Sequence, residues 1–183
     1  TELRAALGER FAACGLRLHP DKTKVVYCKD SRRCAKYQEK TFSFLGFDFK
    51  PRRARSRDGK LYTVFTPGVS QNGQKHLVHV MRIWGIPRRT SESLEEIAKL
   101  VAPVLRGWMR YFQAFRPSEM YRVLYLLNRK LTDWYMKKYR TRRHKAIRAL
   151  ARMAADRPRL FPHWQYGILP LRPKHNWSTT RAV

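Results

Sequence analysis

Apolar positions along the chain follow two regimes, alternation before about residue 70 and a helical period after it. Leu3, Leu7 and Phe11 recur at i, i+4 and i+8, which predicts an amphipathic helix from Glu2 to Cys14 with Gly15 as a left-handed stop. A turn is expected at Pro20-Asp21, then a strand from about Lys24 to Lys29, where Val25, Val26 and Tyr27 supply β-branched and aromatic side chains. A basic connector covers Ser31 to Lys40. In the next ten residues Phe42 and Phe44 alternate on one face, and Leu45, Phe47 and Phe49 on the other. The phase changes at Leu45-Gly46, where a glycine suits a bulge or a close backbone approach. Arg52 to Arg57, Asp58-Gly59 and Lys60 to Phe65 predict a hairpin around an Asp-Gly turn.

Beyond this the period is helical. Ser70 caps a predicted helix running to about Trp84, with Leu77, Val80, Met81 and Trp84 on one face. Ser93-x-x-Glu96 forms a capping box ahead of Leu94, Ile97, Leu100 and Val101. Pro103 is expected to end or kink that helix, or to start the next, because it cannot donate the internal hydrogen bond. Val104, Trp108, Tyr111, Phe112 and Phe115 follow at helical spacing. A long helix from Pro117-Ser118 to about Tyr139 carries Met120, Val123, Leu124, Leu127, Leu131 and Trp134 as its stripe, and a short one ends near Ala155. The fold class is therefore α+β: a short N-terminal helix and antiparallel strands, then a three- to four-helix bundle. The expected divisions are 1–69, 70–165 and a basic tail, 166–183.

Charge changes the picture from fold to partner. The 183 residues hold 40 Lys plus Arg against 13 Asp plus Glu, a formal net charge of +27. A compact domain with that charge repels itself unless a polyanion neutralises it, and nucleic acid does so with release of condensed counterions. An anionic membrane surface would favour one basic amphipathic helix, whereas here the charge is spread along the chain. With 43% apolar and 13% aromatic residues a packed core is available, which excludes a wholly disordered basic tail. No apolar run approaches the ~20 residues of a membrane span. Cys14, Cys28 and Cys34, even with His19, lack the spacing of a zinc module and read as reduced thiols. The acids are scattered, with no Asp-Asp or Asp-x-Asp pair. Glu95 and Glu96 are explained by the helix start they occupy. No complete catalytic site and no metal site is expected.

Three segments, GLRLHPDKTKVVY, FSFLGFDF and PVLRGWMRYF, resemble in that order the end of the palm and the thumb of group II intron reverse transcriptases, the maturases. In that family the catalytic Tyr-x-Asp-Asp turn precedes the first segment. Here it is absent, and the chain, opening on Thr1 within a predicted helix, is expected to be a C-terminal portion of a longer polymerase. Asn176-Trp177-Ser178 in the tail match the family less clearly.

The resemblance implies roles for particular positions. Lys22 corresponds to a palm lysine, a proton donor to departing pyrophosphate in the parent enzyme. Phe44, Leu45, Gly46 and Phe47 correspond to the primer grip. Arg106 and Arg110, flanking the core-spaced Trp108, Tyr111 and Phe112, are expected at phosphates, as is the acid-free run Lys137, Lys138, Arg140, Arg142, Arg143, Lys145 and Arg148. Arg52, Arg53 and Arg55 form a second basic cluster. The implied partners are group II intron RNA and an RNA template–DNA primer duplex, in a cytoplasmic, bacterial-type ribonucleoprotein. Mg²⁺ is expected for the parent and none for this chain. The rival readings are a stand-alone basic nucleic-acid-binding module of ribosomal or DNA-binding type, and a small nuclease built on His19.

Overall fold

The computed structural model describes residues 2–33 and 35–170. Cys34 and the tail beyond Pro170, including Asn176-Trp177-Ser178, lie outside the described residues. Helix α1, Glu2–Ala13, ends as expected at Gly15 (φ 70°), whose N–H donates to Ala12 O (3.0 Å) while Leu16 N–H donates to Phe11 O (2.8 Å). This pair of bonds closes the last turn on a residue with no Cβ penalty. The expected amphipathic packing is not realised: none of its residues is buried, and Leu3 is 76% exposed. Of that stripe only Phe11 is half-buried, and Leu7 remains 46% exposed.

Residues 24–29 form no strand, contrary to expectation. A β-branched run becomes a strand only when a neighbour completes its ladder. Here Tyr27 N–H reaches Glu39 O (2.9 Å), but Lys29 N–H turns back to Tyr27 O (2.8 Å) and Val25 stays exposed.

The sheet consists of β1 (Phe42–Phe44), β2 (Phe47–Arg55) and β3 (Leu61–Val69), antiparallel in the order β1-β2-β3. Leu45-Gly46 is not a bulge but a complete reversal: Phe44 pairs with Phe47 and Phe42 with Phe49. Both turn residues have positive φ (48° and 78°), the geometry that matches strand twist in a two-residue hairpin. The Asp58-Gly59 hairpin forms as predicted, with Gly59 at φ 81°, Gly59 N–H donating to Ser56 O (3.1 Å) and Ser56 N–H to Lys60 O (2.9 Å).

Four helices follow: α2 (Gln71–Ile83), α3 (Leu94–Phe112), α4 (Pro117–Tyr139) and α5 (Arg143–Asp156). Ser70 caps α2 through Gly73 N–H (2.9 Å), and the Ser93/Glu96 box caps α3 from both sides (2.6 and 3.1 Å). Pro103 does not interrupt α3, which runs through it. Pro103 and Lys99, whose carbonyl loses its donor, are both exposed, so the vacant acceptor faces solvent rather than the core. The predicted stripe of α4 is buried throughout. It packs with Leu77 and Met81 of α2, Ile97, Val101 and Leu105 of α3, and Leu150 of α5.

The segment after α5 folds back as a 3-10 turn, Pro162–Tyr166, and inserts Phe161 and Trp164 into this core. Asn128 of α4 pins it. Its Oδ1 accepts from Trp164 Nε1 (3.0 Å) and lies 2.8 Å from His163 Nε2, while its Nδ2 donates to Ile168 O (2.9 Å). With Nδ2 committed as donor, Oδ1 must be the acceptor, so His163 carries its proton on Nε2. Burial pushes the His163 pKa down from 6.5 to about 3. The unfolded chain therefore binds a proton near pH 6.5 that the folded chain refuses until about pH 3, and stability falls as pH drops through that window. We expect urea unfolding free energies at pH 7, 5.5 and 4.5 to decline by up to about 1.4 kcal/mol per unit from this residue alone. His163→Asn should be less stable at pH 7 and show a shallower decline; an identical slope would show that His163 is not the titrating group.

Candidate nucleic-acid interface

Two places gather the residues singled out by sequence. The first is the junction between the β1–β2 turn and α3. Phe47, buried at the start of β2, meets the rings of Tyr111, Phe112 and Phe115 with centroids 5.2–5.5 Å away. Tyr111 Oη donates to Leu45 O (2.8 Å), and Ser70 N–H donates to Gly46 O (2.8 Å). A Cβ on Gly46 would lie 3.5 Å from the Phe112 ring, so the turn backbone rests directly on α3. Phe44 and Leu45, in contrast, are 60% and 66% exposed. Beside the turn, an open cleft of about 450 Å³ is lined by Ser43, Phe44, Gly46, Asp48, Asn72 and Gly73 among others, with no Lys or Arg on its wall. With the Asp48 carboxylate as the one charged side chain on its wall, the cleft disfavours a phosphate and suits hydroxyl groups better. Trp108 is half-buried and stacks on Trp84 (5.3 Å), as its spacing implied, while Arg106 and Arg110 are exposed on the outer face of α3.

The second place is the corner between α4 and α5, and here the basic run divides. Lys138 is spent on the fold: its Nζ donates to Glu92 O (2.7 Å) and Thr90 O (3.0 Å), with Ser91 O at 3.5 Å, and lies 5.5 Å from the Trp134 ring centroid. Trp134 Nε1 donates to Arg89 O (2.8 Å), so one turn of α4 fastens the whole α2–α3 connection. Arg143 reaches Asp133 (3.1 Å). Lys137, Arg140, Arg142, Lys145 and Arg148 are exposed, and among the described residues none has a carboxylate within ion-pair distance. Arg152 extends the α5 row Lys145–Arg148 by another turn, which i, i+3, i+7 spacing could have revealed.

Arg140 closes α4 in the left-handed region (φ 46°, ψ 45°), a position where glycine is the ordinary choice. Helix α5 starts on Arg142 without a side-chain cap and has no acid in its first turn. Cations there oppose the helix dipole.

The other candidates are placed separately. Arg52 is largely buried: it pairs with Glu119 of α4, and its Nε and Nη2 donate to Thr66 O and Asp48 O (both 3.3 Å). Burial holds its pKa below the usual arginine range, with Glu119 opposing that shift. A side chain at Gly68 would collide with this pair. Arg52 is thus a clasp between sheet and helices. Arg53 and Arg55 are exposed, Arg55 Nε donating to Gly59 O (3.0 Å). Lys22 lies in an exposed turn closed by Thr23 N–H donating to His19 O (2.9 Å). Among the described residues no three His, Cys, Asp or Glu side chains are grouped to hold a metal ion, and no helix is long and apolar enough to cross a membrane.

Residues 74–151, from early α2 to α5, match the family model of the group II intron, maturase-specific domain. No curated protein and no solved structure matches the chain. That match implies group II intron maturase function and binding of group II intron RNA. Residues 74–151 are thus similar to a group II intron maturase-specific domain, which supports reading the chain as the C-terminal part of a maturase.

Proposed function

We propose that this chain is the palm-end and thumb of a group II intron reverse transcriptase, gripping intron RNA for splicing and the RNA template–DNA primer duplex for reverse transcription. The observation that carries the reading is the α4–α5 corner within the matched domain: exposed cations without counter-charge, built at a cost to the fold. Structured RNA is held mainly through backbone shape and 2′-hydroxyls, a task for Arg and Lys on helices. The β1–β2 turn with Phe44, Leu45, Gly46 and Phe47 serves as the primer grip, its cation-free cleft taking the sugar at the primer end. Lys22 serves the triphosphate site of the parent, whose Mg²⁺ is held by carboxylates outside these residues, in a cytoplasmic ribonucleoprotein.

Binding of intron RNA should weaken steeply between 50 and 200 mM salt. Each lost phosphate contact should lower the slope of log K against log [salt] by about one. Arg142→Glu and Arg148→Glu should each flatten the slope, measured by filter binding. Lys138→Met should leave the slope alone and cost about 1–2 kcal/mol of stability, because its ammonium serves carbonyls. Unchanged slopes for both Glu variants would remove the corner from the interface.

Arg140→Gly separates stability from binding. Relief of the left-handed strain, less the entropy glycine adds to the unfolded chain, should stabilise the fold by about 0.5–1 kcal/mol. The same variant should bind RNA more weakly and lose about one unit of salt slope. Raised stability with undiminished binding would mean that Arg140 does not touch RNA.

A further inference from the structure

The β1–β2 turn adopts a backbone that its own sequence does not favour. A two-residue hairpin with positive φ at both positions selects Asn or Gly at the first, and here that position is Leu45 at φ 48°. The Leu45 side chain offers the turn no local hydrogen bond and is mostly exposed, and the hairpin's own cross-strand contacts, Ser43 Oγ donating to Asp48 Oδ1 (2.6 Å) and Phe42 stacked on Phe49 (4.5 Å), hold the strands rather than the turn peptides. The compensation comes from the helical half. Tyr111 Oη donates to the carbonyl of Leu45 itself (2.8 Å), and Ser70 N–H holds the next carbonyl (2.8 Å). Tyr111 is well placed for this, because its ring packs against Phe47 (5.2 Å) and Phe112 (4.8 Å) while its hydroxyl emerges at the surface. The hydroxyl adds little burial, and Phe112 and Phe115 hold Phe47 without it. Its specific effect is to set the direction of one peptide plane, and with it the presentation of Phe44 and Leu45 at the cleft.

We infer that Tyr111 is a positioning residue: its hydroxyl tethers the Leu45–Gly46 turn in the left-handed conformation that receives the end of a primer strand, coupling the maturase-specific domain to the sheet. The inference rests on the primer-grip reading above, so its test keeps the two apart. The full 183-residue chain is used in four forms: wild type, Tyr111→Phe, Leu45→Asn and the double variant. Each is titrated with an RNA template–DNA primer duplex having a recessed 3′ end, and with the same duplex closed by hairpin loops at both ends.

For Tyr111→Phe the expected result is a loss of about five- to tenfold on the recessed end and less than about twofold on the closed duplex. Asn favours the left-handed turn unaided, so the tether is redundant in the Leu45→Asn background and adding Tyr111→Phe should cost less than about twofold there. Equal losses on both duplexes, or an undiminished loss in the Leu45→Asn background, would overturn the proposal. Amide exchange in the free protein supplies the independent arm: Tyr111→Phe should accelerate exchange at Gly46 and Phe47 while the amides of α4 keep their protection. If wild type does not distinguish the two duplexes, the primer-grip reading fails, and unchanged exchange at Gly46 and Phe47 would still dispose of the tether on its own.

Discussion

A chain with 27 more cations than anions must place its thirteen carboxylates where each does the most. Glu119 joins α4 to the sheet through Arg52, Glu95 joins the start of α3 to Arg157 after α5, and Asp133 joins α4 to Arg143 of α5. Glu92 braces the α2–α3 connection through Arg89, and Glu96 completes a cap. Glu95 and Glu96 are both held below the usual carboxylate range, in each case first by backbone N–H groups at the start of α3. These acids sit at element junctions and helix starts rather than being distributed to dilute the positive field. The helical half is stabilised where elements meet, and the exposed rows of Arg and Lys are left uncompensated.

The junction of sheet and helices follows the same economy with aromatic rings. A three-stranded sheet needs a hydrophobic face or packing against a helix to be stable. Phe47 supplies the seat, entering a ring of Tyr111, Phe112 and Phe115, and the Arg52–Glu119 pair fixes the other end of β2 against α4. A buried ion pair of this kind contributes register more than net stability, since desolvation offsets much of its attraction, whereas removing one partner strands the other. The strands that carry the Phe-Leu-Gly-Phe segment are therefore positioned by the helices of the matched region.

What the sequence discloses follows the range of each interaction. The α4 stripe, the Ser93/Glu96 box, the Asp58-Gly59 hairpin and the Gly15 stop depend on neighbours within a few residues, and all are found in the structure. The strand expected at Lys24 to Lys29 depends on a partner that local pattern cannot supply. Leu45-Gly46 reads as a bulge because leucine is a poor first residue for a tight hairpin turn, and the hydroxyl that makes it tolerable lies 66 residues away. The basic run shows the same limit. Lys137 and Lys138 are indistinguishable in sequence, yet one is exposed and the other is held by three carbonyls of the α2–α3 connection.

That division sharpens the functional argument. A charge run on a helix is ordinarily a solvated face that costs the fold little, and on that view the α4–α5 corner would carry no information. Its backbone says otherwise. An arginine occupies a left-handed cap that a glycine would fill without strain, and the next helix begins on arginine, with Arg143, His144 and Lys145 against the positive end of its dipole. Each departure opposes stability, and both fall within one short connection of the matched domain. Other cations are meanwhile drawn into the fold, Lys138 by backbone carbonyls at this corner and Arg52 by Glu119 at the sheet. Cations left unpaired at an energetic cost, beside others drawn into the fold, are the ones we propose for the polyanion.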